Sequence, residues 1–71
     1  MSIDDQVVRI VDRDYGHGVG LKKHSAIYKL KKSNPNFESL LLSLKESLET
    51  KSALTLKVDP FTMEIQELSK K

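Results

Sequence analysis

Residues 37–48 have the sequence FESLLLSLKESL, a helical pattern that separates two groups of strand-like segments. The apolar side chains follow the i, i+3, i+4, i+7, i+11 spacing of one helix face and are Phe37, Leu40, Leu41, Leu44 and Leu48. Leu42 lies about 140° around the helix from Phe37, at roughly 100° per residue. We therefore expect Leu42 to leave the apolar face and to be a candidate contact with another subunit.

A compact break at residues 33–36, Ser-Asn-Pro-Asn, precedes this helix. Asn34 could cap the helix with Pro35 at the first helical position, or Asn36 could cap it one turn later. Both alternatives predict that the helix begins directly after the break.

Two strands are predicted before the break. Gln6–Asp12 is short and β-branched, and alternation would place Val7, Arg9 and Val11 on one face. In Ser25–Lys31, alternation predicts that Tyr28 faces the core and that the lysines face outward. Between these strands, residues 16–22 are compatible with a short bent strand or with a loop.

A β-hairpin is predicted after the helix. Leu54–Val58 and Met63–Gln66 both alternate apolar and polar residues around the turn at residues 59–62, Asp-Pro-Phe-Thr. A four-residue connection would place Val58 opposite Met63.

The fold class predicted from this order is α+β. It is a small β-rich single domain over residues 1–71, in the order β-(β)-β-α-β-β, with one helix packed on a mostly antiparallel sheet. Residues 1–5 and 69–71 are expected to fray. Five strands with a helix between the third and fourth is also the order of an OB-like five-stranded barrel.

The second half of the chain resembles a known family. Tyr28-Lys29-Leu30, then Pro35-Asn36-Phe37, the leucine-rich helix and the hairpin from Leu54 to Leu68 are similar to the strand, helix and hairpin of the OB-fold B subunits of bacterial AB5-type toxins. The resemblance covers about residues 25–68. The first half departs from the family because it is shorter and lacks the cysteine pair of several such subunits. The resemblance implies an OB-like fold and ring assembly, but it identifies no binding residue in this chain.

Bulk composition narrows the protein class. A chain of 71 residues buries only about 60% of its unfolded surface, and without cysteine it has no disulfide, so we expect stabilisation by homo-oligomerisation. The apolar runs fall short of the roughly 20 residues that span a bilayer, so no membrane insertion is expected. Absence of cysteine favours a cytoplasmic protein, although export after removal of a leader would be compatible with the same sequence.

Positive charge is concentrated in residues 22–32, which hold five lysines and no acid. Lys23, Lys29 and Lys31 share one strand parity and would form a cationic row. Tyr15 and His17 are near enough in sequence to offer stacking surfaces, a combination that binds single-stranded nucleic acid on OB-type sheets. The alternative is a solvated face that prevents edge pairing.

The glycine-rich residues suggest a further alternative. Gly16, Gly18 and Gly20 with Lys22 could bind an anion or nucleotide through backbone amides. The spacing matches neither a Walker loop nor a dinucleotide fingerprint, and a hairpin or bulge that needs positive φ is the favoured explanation of the glycines.

Metal binding and catalysis are not expected. His17 and His24 could join Asp12 or Asp14, but the chain has no third histidine, so we predict no metal and no cofactor. It also lacks a nucleophile motif. We therefore predict a non-enzymatic binding or assembly module of unknown ligand, with Ile27 and Leu42 as subunit-interface candidates.

Overall fold

The computed structural model describes residues 1–70, with the backbone alone for Lys70, and contains five β-strands and one α-helix. In chain order the elements are β1 (Ser2–Arg13), β2 (Gly16–Leu21), β3 (Ile27–Lys31), α1 (Phe37–Thr50), β4 (Ala53–Val58) and β5 (Ile65–Lys70). This order confirms the predicted α+β class. The glycine-rich segment that was compatible with strand or loop is a strand, β2.

The five strands form one antiparallel sheet in the order β3-β2-β1-β4-β5. The long strand β1 joins both halves, because residues 2–6 pair with β4 and residues 7–13 pair with β2. The sheet coils until its edges meet at one point. There Lys29 forms a parallel bridge with Glu64, and the Lys29 amide donates to the Met63 carbonyl at 2.7 Å.

A β-bulge in β1 changes which side chains face the core. The pairing with β2 shifts between Val7 and Arg9, so Val8 is an extra residue. Val7 is fully buried and Ile10 packs against the core, whereas Arg9 is exposed. Strict alternation placed Val7 and Arg9 on one face, and the bulge corrects that prediction because one inserted residue exchanges the two faces.

The core lies between α1 and the concave side of the sheet. Its buried apolar residues are Ile3, Val7, Val19, Leu21, Tyr28, Leu30, Leu40, Leu44, Leu54, Leu56, Val58 and Ile65. Phe37, Leu41 and Leu48 pack against this cluster, which confirms the predicted helix face. Leu42 is 68% exposed, as its angular position predicted.

The helix begins at Phe37, after Asn36. Asn34 organises this start, since its Oδ1 accepts from the Asn36 amide at 2.8 Å and its carbonyl accepts from the Phe37 amide at 3.0 Å. The helix ends at Thr50 and is capped by Lys51, which has a left-handed conformation and whose amide donates to the Ser47 carbonyl.

The connection between β4 and β5 is longer than the predicted four residues. Val58 pairs with Ile65 instead of Met63. Met63 has a φ of 63°, and its amide donates to the Asp59 carbonyl at 2.8 Å. Met63 therefore belongs to the turn, because a left-handed residue cannot continue an extended strand.

The structure places residues 2–5, within the segment predicted to fray, in β1. Ile3 and Asp5 are buried within β1, and the Met1 carbonyl accepts from the Val58 amide at 2.8 Å. The β4 pairing holds this terminus in the sheet. At the other end, Ser69 pairs with Thr55, whereas Lys71 lies outside the described residues.

Gly16, the first residue of β2, has a φ of 144°. A Cβ atom at this position would collide with the Leu30 carbonyl oxygen of β3. The close approach of β2 and β3 therefore requires glycine here, for both its conformation and its lack of a side chain.

We predict that Gly16→Ala lowers the free energy of unfolding by more than about 2 kcal/mol, because strain at φ adds to the backbone collision. Gly20→Ala is the matched control. Its Cβ would meet Arg9 Cβ at 3.4 Å, an ordinary contact, so we expect a change within about 1 kcal/mol. Urea unfolding of both variants measures the difference, and equal stabilities would contradict the assigned role of Gly16.

Candidate functional site

The solvent side of β1, β2 and β3 is the candidate site, and we call it the glycine face. It consists of Arg9, Val11, Tyr15, Gly18, Gly20, Ile27 and Lys29. In β2, Val19 and Leu21 are buried on the core side, and Gly18 and Gly20 alternate with them on the other side. These two glycines are also buried, because side chains of neighbouring segments cover them.

Side chains from neighbouring segments lie over Gly18 and Gly20 of β2. A Cβ built on Gly20 would lie 3.7 Å from Arg9 Nε, and one built on Gly18 would lie 3.4 Å from the Tyr15 hydroxyl oxygen. Ile27 Cγ2 is also within 3.2 Å of that Gly18 position. The two missing methyl groups thus allow Arg9 and Tyr15 to approach the backbone of β2.

Lys29 completes the glycine face from β3. Its Nζ atom lies 5.7 Å from the centroid of the Tyr15 ring, within the range of a cation–π contact. Lys29 is half-buried, and its backbone is tied to the β4–β5 turn by the bond to Met63. A cation therefore lies over an aromatic ring on the outer side of the sheet, where both residues are half-buried.

Of the predicted row of three lysines, Lys29 and Lys31 lie on this side of β3 and Lys23 does not. Lys23 precedes β3 and lies in the bend after β2, so the strand parity that linked it to Lys29 does not apply. Lys31 does lie on β3, but its Nζ is 2.6 Å from Glu64 Oε1, which neutralises its charge locally. Arg9 supplies the second cation, from β1.

His17 lies on the core side of β2, opposite to the glycine face. Its ring stacks on Phe37 with a centroid distance of 5.7 Å and an interplanar angle of 9°. Its Nδ1 lies 3.0 Å from Asp12 Oδ1, in a direction that does not satisfy hydrogen-bond geometry. His17 therefore fixes the start of α1 against the sheet, and Tyr15 is the stacking candidate that remains.

The glycines suggested as an anion loop lie in a strand paired on both sides. Gly16, Gly18 and Gly20 each pair with β1 and with β3. Amides within such a strand donate to the neighbouring strands and are not directed at a ligand. Lys22, in the bend, directs its own amide to the Gln6 carbonyl at 3.0 Å.

The histidines and acids are dispersed. His24 contacts Asp5, and His17 lies beside Asp12. Within residues 1–70, no group of three or more histidine or acidic side chains is placed to hold a metal ion. The same residues contain no helix with the length and apolarity needed to cross a membrane.

Asp5 is a buried acid that organises the bend next to the glycine face. Its side chain is fully buried and accepts from the Lys23 amide at 2.9 Å and from the Gln6 amide at 2.7 Å. His24 Nδ1 lies 2.6 Å from Asp5 Oδ2. Burial alone would raise the pKa of Asp5, but the hydrogen bonds from His24, Gln6 and Lys23 hold that pKa below its ordinary value of 3.8.

Sequence reasoning missed Arg9 and Asp5. Arg9 lay outside the lysine-rich segment, and only the bulge at Val8 turns it toward Gly20. Asp5 lay in a terminus expected to fray. An aspartate within an alternating pattern, at the same parity as Ile3 and Val7, was the available signal of a buried acid.

Comparisons of this chain with protein-family models, with curated proteins and with solved structures found no match. The candidate site is therefore defined by its own geometry.

We predict that Asp5→Ala lowers the free energy of unfolding by about 1–3 kcal/mol, because the Lys23 and Gln6 amides lose their acceptor. The control is Asp4→Ala at the adjacent exposed position, where the cost should stay below about 1 kcal/mol. Thermal unfolding followed by circular dichroism compares the two.

The stabilisation by Asp5 should also depend on pH. Since the pKa of Asp5 is lower in the folded protein than in the unfolded chain, its contribution is present above about pH 4 and is lost as pH falls through the folded-state pKa. The difference in melting temperature between wild type and Asp5→Asn should therefore narrow from pH 5 to pH 2. A difference that widened with acid would contradict the assignment.

Proposed function

We propose that this chain is a non-enzymatic binding protein whose glycine face binds single-stranded nucleic acid. The observation that carries the proposal is the grouping of Arg9, Tyr15 and Lys29 over Gly18 and Gly20. These side chains are a pair of cations and a stacking ring, and the glycines allow Arg9 and Tyr15 to lie close to the sheet.

The chemistry of this grouping suits a single strand. Cationic side chains neutralise phosphates and release counterions, and aromatic rings stack on bases without strong sequence preference. Asp12 and Asp14 near the β1–β2 turn would oppose a phosphate there, so the expected path crosses the face at Gly18 and Gly20.

The architecture supports the same proposal. We propose that the strand order, together with the contact between β3 and the residues before β5, makes an OB-like barrel. OB-type sheets bind single-stranded nucleic acids and oligosaccharides on the face that includes their second and third strands. Two cations beside an aromatic ring favour the nucleic acid, because phosphates carry the complementary charge.

Arg9→Ala and Lys29→Ala should each weaken binding of a single-stranded oligonucleotide of about 12 nucleotides, and each should reduce the log–log salt slope by about 0.7. Fluorescence anisotropy of a labelled oligonucleotide, in DNA and RNA forms, measures both quantities. Lys45→Ala, an exposed lysine on α1, is the control and should leave affinity and slope unchanged. Absence of wild-type binding to both forms at about 50 mM salt would reject the proposal.

A second proposed property is self-association, through α1. Leu42 is 68% exposed on a helix whose other leucines pack inward, and a small chain gains stability by burying such a residue between subunits. The homo-oligomer inferred from composition, and the ring implied by the toxin resemblance, belong to this proposal.

Leu42→Ser should shift the sedimentation equilibrium toward the monomer without lowering monomer stability by more than about 0.5 kcal/mol, since the side chain is already exposed. Wild-type protein that sediments as a monomer at high micromolar concentration would exclude self-association.

A further inference from the structure

Phe61 is the most exposed aromatic residue in the part of the chain that the structure describes, at 94% of its accessible surface. It lies in the turn of residues 59–64 between β4 and β5. A fully exposed phenylalanine contributes nothing to the core and costs solubility. Its presence at this position is therefore not explained by folding.

The turn that holds Phe61 is tightly hydrogen-bonded. Asp59 Oδ1 accepts from the Phe61 amide at 2.8 Å and from the Thr62 amide at 3.3 Å. The Asp59 amide donates to the Glu64 carbonyl at 2.9 Å, and Pro60 fixes one backbone angle. The hydrogen bonds from the Phe61 and Thr62 amides hold the pKa of Asp59 below its ordinary value of 3.8. The ring is thus presented on a pre-organised backbone, which reduces the ordering cost of binding.

This turn is attached to the strand that carries Lys29. The Met63 carbonyl accepts from the Lys29 amide at 2.7 Å, and Glu64 pairs with Lys31 at 2.6 Å. Phe61 is two residues before Met63, so their Cα atoms are at most about 7 Å apart. Tyr15, Lys29 and the Phe61 turn therefore follow one another across the molecule.

We infer that Phe61 is a second stacking contact for the single-stranded nucleic acid bound by the glycine face. This inference rests on the proposed function. A strand that passes Tyr15 and Lys29 would continue toward the turn, where the exposed ring offers the next surface for a base. A protein partner would use the same ring without any dependence on nucleic acid, and the experiment below separates the two.

The chain contains no tryptophan, so Phe61→Trp introduces a single tryptophan at the proposed contact, and its emission can be excited separately from that of the two tyrosines. We expect its emission to be quenched on addition of the oligonucleotide, with the same midpoint as the anisotropy titration. Phe61→Ala should weaken binding at least about fivefold, with an unchanged melting temperature. Lys45→Trp and Lys45→Ala are the matched controls at an exposed position of α1, where neither quenching nor loss of affinity is expected.

These measurements distinguish the Phe61 contact from nucleic-acid binding by the glycine face, on which the contact depends. If Arg9→Ala weakens binding while Phe61→Ala does not, and Phe61→Trp is not quenched, the Phe61 contact is rejected and the glycine face stands. If wild-type protein binds no oligonucleotide, both are rejected. If Phe61→Ala alters only the sedimentation of the protein, the ring is a protein contact and the inference is overturned.

Discussion

One side of β2 has no side chains, and both the packing and the proposed chemistry depend on this constraint. Gly16, Gly18 and Gly20 occupy alternate positions, so every larger residue of the strand points to the core. Glycine is costly in a strand because it loses more conformational entropy on folding than other residues. The cost is offset where β2 approaches β3 at Leu30, a contact that a Cβ would prevent.

The absence of side chains on one side of β2 also determines which neighbouring side chains form the glycine face. Without methyl groups on Gly18 and Gly20, Arg9 and Tyr15 lie close to the backbone, and Lys29 reaches the Tyr15 ring. Asp5 acts beside them by holding the bend that connects β2 to β3. A buried carboxylate in this position orders a polar segment that apolar packing alone would leave mobile.

Structural features that depend on the local sequence pattern were predictable from the sequence. The leucine spacing of α1, the exposure of Leu42 and the burial of Tyr28 follow from periodicity, and all three are confirmed. The missed features depend on contacts between distant segments. The bulge at Val8 reverses the face of Arg9, the ring of Phe37 draws His17 to the core side, and Glu64 pairs with Lys31 across the closing point of the sheet. Phe37 and Glu64 lie far in sequence from the residues they affect, and the bulge exists only in the pairing of β1 with β2.

The glycine face can be tested by nuclear magnetic resonance of the ¹⁵N-labelled protein during titration with a short single-stranded oligonucleotide. The account predicts that the largest amide shifts occur at Arg9, Gly18, Gly20 and Lys29, and that α1 is little affected. Shifts concentrated on α1, or no shifts at low salt, would contradict the claim that the glycine face is a binding surface.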